Sequence, residues 1–206
     1  AQPTFIKKST AFGNMPIVDC DGNDKLATAT YLESLNTEEF TLFAVACSDT
    51  DDNSYQGVIS SRRSPVGSPS RQGFNLYAKW SGTNQWGFWW GKDTAWGQIY
   101  AGTHRLAVGE PDIIACVMAG TDGAGSSGTQ TLRVNGVQEG TASDVFFRMT
   151  SSNSTTVANV PTPYFLQGQI AEIVLYPRDL TTAEIYEVEA YLSKKYSLPI
   201  SSSAPT

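Results

Sequence analysis

The chain has 206 residues, of which 40% are apolar and 11% aromatic, enough for one sizeable core without help from disulfides. Charged residues make up only 17%, and the formal net charge of −6, with a pI near 4.7, excludes a general nucleic-acid binder, which needs a positive field. No apolar run approaches the roughly 20 residues of a membrane span, so membrane insertion is not expected, and no secretion signal is visible.

The rhythm of the chain is short and strand-like. Met15 to Cys20 reads as a first strand, closed by the turn Asp21-Gly22-Asn23-Asp24. Phe40 to Cys47 is apolar at both alternating sets of positions, which predicts a strand covered on both faces. Gln56 to Arg62, Phe74 to Trp80 and Gln85 to Trp90 follow at hairpin spacing, and Ile113 to Ala119 repeats the doubly apolar pattern. In Thr129 to Val134, Thr129, Thr131 and Arg133 alternate with Gln130, Leu132 and Val134. Asn135-Gly136 then supplies a hairpin turn, because both residues tolerate positive φ. Val145 to Met149 and Gln169 to Tyr176 complete a set that predicts an all-β sandwich. One helix follows. Thr181 caps it, Glu184 completes a capping box, and Leu180 and Ile185 take the staple positions. Ile185, Val188, Leu192 and Tyr196 fall on one face, Lys194 and Lys195 suit the C-terminal end, and Leu198-Pro199 stops it. Residues 1–198 are expected to form one domain and 199–206 a C-terminal tail.

Little in the sequence points to catalysis. Gly123 to Gly128 has the letters of a dinucleotide-binding loop, but the alternating TQTLRVNG follows where a helix is required, so it reads as a hairpin loop. Glu110-Pro111-Asp112 begins the E-x-D-x-x-E pattern of laminarinase-like glycanases, whose acids serve as nucleophile and proton donor. Ala115 stands where the third acid belongs, so no catalytic residue is assigned. The single histidine, His104, leaves little room for a hydrolase triad or a zinc site built on several imidazoles. Three cysteines make no disulfide framework; Cys20, Cys47 and Cys116 read as buried thiols, which suits assembly in a reducing compartment. No cofactor is implied, with calcium the one candidate: Asp19, Asp21 and Asp24 cluster oxygen ligands of the right kind, and Asp49 to Asn53 forms a second acidic turn. A solvated turn is the plainer reading of both.

The aromatic stretch from Trp80 to Tyr100 is the most suggestive feature. Alternation puts Trp86, Phe88 and Trp90 on one face of a strand and Trp89 on the other, between Gly87 and Gly91. Rings flanked by glycine make accessible platforms on which a pyranose can stack. Trp89 and Trp96, with Tyr77 opposite the apolar face of its own strand, are therefore the candidate carbohydrate-binding residues. Arg62, Arg63 and Arg71 form a basic loop on an acidic protein, a solvated loop in the plain reading and a docking contact in the sharper one.

Met15-Pro16-Ile17-Val18 leading into Asp21-Gly22-Asn23-Asp24, Phe40 to Ala46, Leu132 to Gly136 and above all Gly168 to Tyr176 with the helix to Tyr196 resemble the laminin-G-like, concanavalin A-like lectin/glucanase jelly rolls, particularly their bacterial and phage versions. The resemblance runs from about residue 12 to 198. It implies a jelly-roll β-sandwich of two antiparallel sheets with one C-terminal helix, and fixes function less closely, since the family includes lectins, adhesion modules, enzyme appendages and virion proteins. The first expectation is a non-catalytic surface recognition module for glycans on a phage virion, as a capsid or tail decoration or attachment protein. The alternatives are a purely structural decoration protein, a secreted, extracellular polysaccharide-binding module and, last, a glycan-cleaving enzyme. The virion surface reconciles free thiols with a fold that works on exposed surfaces. The partners expected there are a glycan or a particle-surface protein, and particle symmetry favours a homo-oligomer.

Overall fold

The computed structural model describes residues 1–28, 39–51, 54–62, 71–79, 82–120, 127–146, 155–160 and 164–201. In chain order the strands are β1 (Thr4–Ser9), β2 (Met15–Asp21), β3 (Leu26–Ala27), β4 (Phe40–Ser48), β5 (Tyr55–Ser60), β6 (Phe74–Lys79), β7 (Gln85–Gly91) and β8 (Trp96–Tyr100). Then come β9 (Asp112–Ala119), β10 (Ser127–Val134), β11 (Val137–Val145), β12 (Thr156–Val157), β13 (Asn159–Val160), β14 (Tyr164–Phe165), β15 (Gln167–Tyr176) and the helix α1 (Thr182–Tyr196). Every pairing between them is antiparallel. A seven-stranded sheet runs β1-β2-β15-β4-β9-β10-β11 and a six-stranded sheet β3-β12-β5-β6-β7-β8, with β13-β14 as a small ribbon. The sandwich expected from the alternation is the architecture found.

Two cores meet at the seven-stranded sheet. Phe40, Leu42, Ala44 and Ala46 of β4, with Ile114, Cys116 and Met118 of β9, face the six-stranded sheet and pack on Phe74, Leu76, Trp86, Phe88 and Trp90. The alternate residues Phe43, Val45, Cys47, Ile113, Ala115 and Val117 face the other way and are covered by Leu180, Ile185, Leu192 and Tyr196 around the helix. The doubly apolar runs in the sequence thus come from the two central strands of one sheet, buried on both faces. All three thiols are buried and free, and burial pushes Cys20 up to about 12 and raises Cys47 and Cys116 further, which favours the protonated thiol at neutral pH.

The helix begins where the capping box places it: Thr181 Oγ1 accepts from Glu184 N, and Glu184 Oε2 accepts from Thr181 N at 2.9 Å. Its buried stripe contains one residue that the apolar pattern omits. Glu189 is fully buried and receives a bidentate pair from Arg133 of β10, both contacts at 2.9 Å. Arg133 also donates to Gly136 O at 2.6 Å and stacks 4.8 Å from the Tyr186 ring. Val188, expected on that stripe, is only partly buried.

The hairpin at Asn135-Gly136 adopts positive φ at both residues, 48° and 83°, as a two-residue primed turn requires. The returning strand β11 is polar because it is an edge, which hid it from the hydrophobic pattern. A strand over Val145 to Met149 was expected instead; β11 ends at Val145 and Phe146 turns into the core, while residues 147–150 lie outside the described residues. Edge strand β1 escaped the pattern for the same reason. Trp80, Asp52, Asn53, the loop at 121–126 and the tail at 202–206 also lie outside the described residues. Before them, Ser201 N donates to Asn135 O at 2.9 Å, laying the chain end on the hairpin.

A polar knot closes one end of the sandwich. Asp112 accepts from Trp86 Nε1 at 2.6 Å and from Asn135 Nδ2 at 2.6 Å, and lies 2.8 Å from His104 Nε2. The hydrogen bond to Asp112, and then its negative charge, raise the His104 pKa above its ordinary value in spite of partial burial. Burial acts to raise the Glu139 pKa, but donors from His104 N, Thr103 N and the Thr103 hydroxyl outweigh it and the net shift is downward.

Two expectations follow. Glu189→Ala leaves the Arg133 guanidinium buried without its carboxylate, and urea unfolding is expected to show a loss of about 3–5 kcal/mol. Joint replacement by Arg133→Met and Glu189→Leu is expected to recover most of it; a single-variant loss below about 1 kcal/mol would mean a solvated pair. The raised His104 pKa means that imidazolium stabilises the native state fully below its unfolded value, about 6.5, and that this contribution disappears as pH rises through the folded value. His104→Gln is therefore expected to destabilise more at pH 5.5 than at pH 8.5, and equal losses at both would contradict the linkage.

Candidate functional site

The outer face of the six-stranded sheet carries an aromatic cluster. Alternation along β7 sends Trp86, Phe88 and Trp90 into the core and leaves Trp89 outside, between Gly87 and Gly91. Along β6, Phe74, Leu76 and Ala78 turn inward and Tyr77 outward. The register aligns Gly57, Tyr77, Gly87 and Tyr100 in one row across β5 to β8, and Asn75, Trp89 and Gln98 in the next. Glycine is required in the first row: a Cβ on Gly87 would come within 2.8 Å of Tyr100 Cε1, so the ring occupies the space a side chain would fill.

The rings meet at angles typical of edge-to-face packing. Tyr55 lies 5.6 Å from Tyr77 and 5.7 Å from Trp89, and Tyr77 lies 5.4 Å from Trp89, centroid to centroid. Tyr164 of β14 joins them, 5.6 Å from Tyr55 and 6.1 Å from Tyr77. Trp89 Nε1 donates to Tyr100 Oη at 3.1 Å, and Tyr100 donates to Gln98 Oε1 at 3.3 Å. Cations lie on this face as well. The Arg62 guanidinium sits 4.8 Å from the Trp96 ring, and Lys79 Nζ lies 4.3 Å from the Tyr100 ring.

Tyr55, Arg62, Arg71, Tyr77, Trp89, Trp96 and Tyr164 line a cavity of about 390 Å³. Its size lies within the roughly 300–1,000 Å³ of small-molecule pockets. Tyr77 is fully buried and its hydroxyl has no hydrogen-bond partner among the described residues. Burial pushes its pKa up to about 12, with Arg62 opposing, so the phenol keeps its proton and remains a donor at neutral pH. Burial, and then contact with the Tyr55 hydroxyl, raise Tyr100 too.

The structure brings Trp89, Trp96 and Tyr77 around one cavity, and Arg62 and Arg71, expected as a separate docking loop, line the same space. Arg63 lies outside the described residues. Tyr55 and Tyr164 were missed. Neither belongs to the Trp-rich stretch, and the pairing of β5 with β6 and the position of β14 bring them in.

The acidic clusters lie elsewhere. Asp21 Oδ1 accepts from Asn23 N at 3.1 Å and Asp24 Oδ2 from Asp21 N at 3.1 Å, so these carboxylates organise their own turn. Burial, and then the charge of Asp49, raise the Asp19 pKa. Among the described residues no group of three or more His, Cys, Asp or Glu side chains is arranged to hold a metal ion. Glu110 is exposed, Asp112 is engaged by Trp86, His104 and Asn135, and Ala115 lies under the helix layer. No described helix is long and apolar enough to cross a membrane.

No curated protein sequence is significantly similar to the chain. Its fold is similar to several solved structures. Domain 4 of AbnA, an extracellular arabinanase from Geobacillus stearothermophilus solved with arabinotriose, is 13% identical with a TM-score of 0.66, covering 92% of this chain and 82% of that one. The CBM40 of the Ruminococcus gnavus IT-sialidase, bound to α2,3 sialyllactose, is 14% identical with a TM-score of 0.60, covering 84% and 96%. A heptameric SAP-like pentraxin from Limulus polyphemus is 14% identical with a TM-score of 0.53, covering 74% and 70%. The family model for the concanavalin A-like lectin/glucanases superfamily, of the laminin-G type, matches residues 21–186, and the chain belongs to that superfamily.

Proposed function

We propose that the protein is a non-catalytic glycan-recognition module and that the cavity on the outer face of the six-stranded sheet is its binding site. One observation carries the reading: rings from five separate strands and the Arg62 and Arg71 side chains surround a single ligand-sized space. Strands hold such rings in place before a ligand arrives, so little ordering entropy is lost on stacking. The likeness of the fold to domains solved with arabinotriose and sialyllactose supports the same reading. So does the engagement of Asp112 in a structural knot, which leaves the Glu110-Pro111-Asp112 stretch without a free acid pair. The buried free thiols favour assembly in a reducing cytosol and, with it, display on a phage virion rather than secretion. Peptides of this chain in purified virions would support that setting, and a secretory signal encoded upstream would overturn it.

Removing one ring tests the site. Trp89→Ala is expected to weaken binding of a glycan identified on an array about fivefold or more, close to 1 kcal/mol, with the thermal transition retained. Calorimetric titration reads the change. Unaltered affinity in a folded Trp89→Ala protein would move the site off this face, and an array on which no glycan binds would leave a purely structural role.

A further inference from the structure

We propose that a second cavity, at the edge of the sandwich between the two sheets, binds an alkyl chain that ends in a neutral polar group. Strand order makes the recess. The register aligns Leu26, Val157 and Ile59 across β3, β12 and β5, and Ile173 and Leu175 of β15, in the other sheet, line the same space. β3 and β12 have two residues each, whereas β15 has ten. β2 pairs with β15 only from Gln167 to Ile170, so among the described residues Ile173 and Leu175 have a paired strand on one side alone, β4. Short strands in one sheet and a neighbour that stops early in the other leave these side chains around a cavity of about 320 Å³, with Leu26 41% exposed.

The lining selects the ligand. It holds no charged group and no aromatic ring, so neither an ion nor a stacking sugar gains by entering. About ten waters would fill such a volume, each seeking two to four polar partners, and the lining offers two threonine hydroxyls. An alkyl chain gains with each methylene it removes from water. Thr155 adds the polar requirement. It is only 4% exposed, and its hydroxyl has no hydrogen-bond partner among the described residues, although its backbone N–H donates to Thr28 Oγ1 at 2.9 Å. A hydroxyl on the ligand would satisfy it. A carboxylate could accept the same bond, but no cation in the lining offsets its lost hydration.

NMR titration of the full chain with straight alkanols, from n-butanol to n-octanol, tests the proposal. Saturable shifts centred on Ile59, Val157, Ile173 and Leu175 are expected, with affinity rising about threefold per added methylene until the cavity is filled. Octanoate is expected to bind about tenfold or more weakly than n-octanol. Thr155→Val keeps the side-chain shape and is expected to weaken n-octanol about fivefold; the alkanol series on the unaltered protein stands without this variant. Shifts that never saturate, affinity indifferent to chain length, or saturable shifts confined to Tyr55, Tyr77 and Trp89 on the outer face would overturn the site. Octanoate binding as tightly as n-octanol would overturn the neutral group, and unchanged affinity in folded Thr155→Val would overturn the role of its hydroxyl.

Discussion

The central strands β4 and β9 of the seven-stranded sheet are buried on both faces, and the rest of the molecule is arranged around that constraint. β4 and β9 are hydrogen-bonded along both edges, so their side chains have only two directions to go, and both lead into a core. Phe40, Leu42, Ala44 and Ala46 hold the two sheets together, and Phe43, Val45 and Cys47 need the helix above them. Each set alone would leave a hydrophobic face exposed to water. With the helix committed to the far side, the outer face of the six-stranded sheet meets the small β13-β14 ribbon, Val160 over Gly57 and Tyr164 against Tyr55 and Tyr77, and that is the face on which the aromatic cavity forms.

Large rings on an open sheet face are stable there because of what lies beneath and between them. Tyr100 takes the space above Gly87, and Trp89 is fixed by its donation to Tyr100. Trp90 does the equivalent on the inner side, where a Cβ on Gly97 would fall 2.2 Å from its ring. Glycine alternating with aromatic residues thus serves both faces of β7 and β8. The same alternation sorts the tryptophans: Trp86 and Trp90 are core, and Trp89 lines the outer cavity.

Patterns confined to neighbouring residues were readable before the structure. The capping box at Thr181, the turn at Asn135-Gly136 and the doubly apolar runs each depend on a few adjacent side chains, and each took the expected form. The outward position of Trp89 followed from period-two alternation alone. The features that escaped depend on strand order, which periodicity does not encode. Arg133 and Glu189 are 56 residues apart, and each in isolation looks like a solvated charge. His104 looked like a lone polar histidine until Asp112 was placed beside it. Edge strands β1 and β11 were hidden because one exposed edge and one polar face leave no apolar rhythm. Tyr55 and Tyr164 reach the cavity only through the pairing of β5 with β6 and the small β13-β14 ribbon.

The distribution of charge ties the fold to the site. The acids described with partners stand away from the cavity: Glu189 on Arg133, Glu172 on Lys195, Glu184 on Arg178, Asp144 on Lys92 and Asp112 on His104. Each is engaged in fastening the helix, an edge or the polar knot at one end of the sandwich. Around the cavity the arrangement is reversed, and cations meet aromatic faces: Arg62 on Trp96, Lys79 on Tyr100. A ring holds a cation in position without cancelling its charge, whereas a carboxylate neutralises it. Among the described residues no Asp or Glu lines the cavity, so its charged lining is arginine alone. The same kinds of charged side chain thus serve in both places, and the pairing of the strands decides which of them meet a carboxylate and which meet a ring.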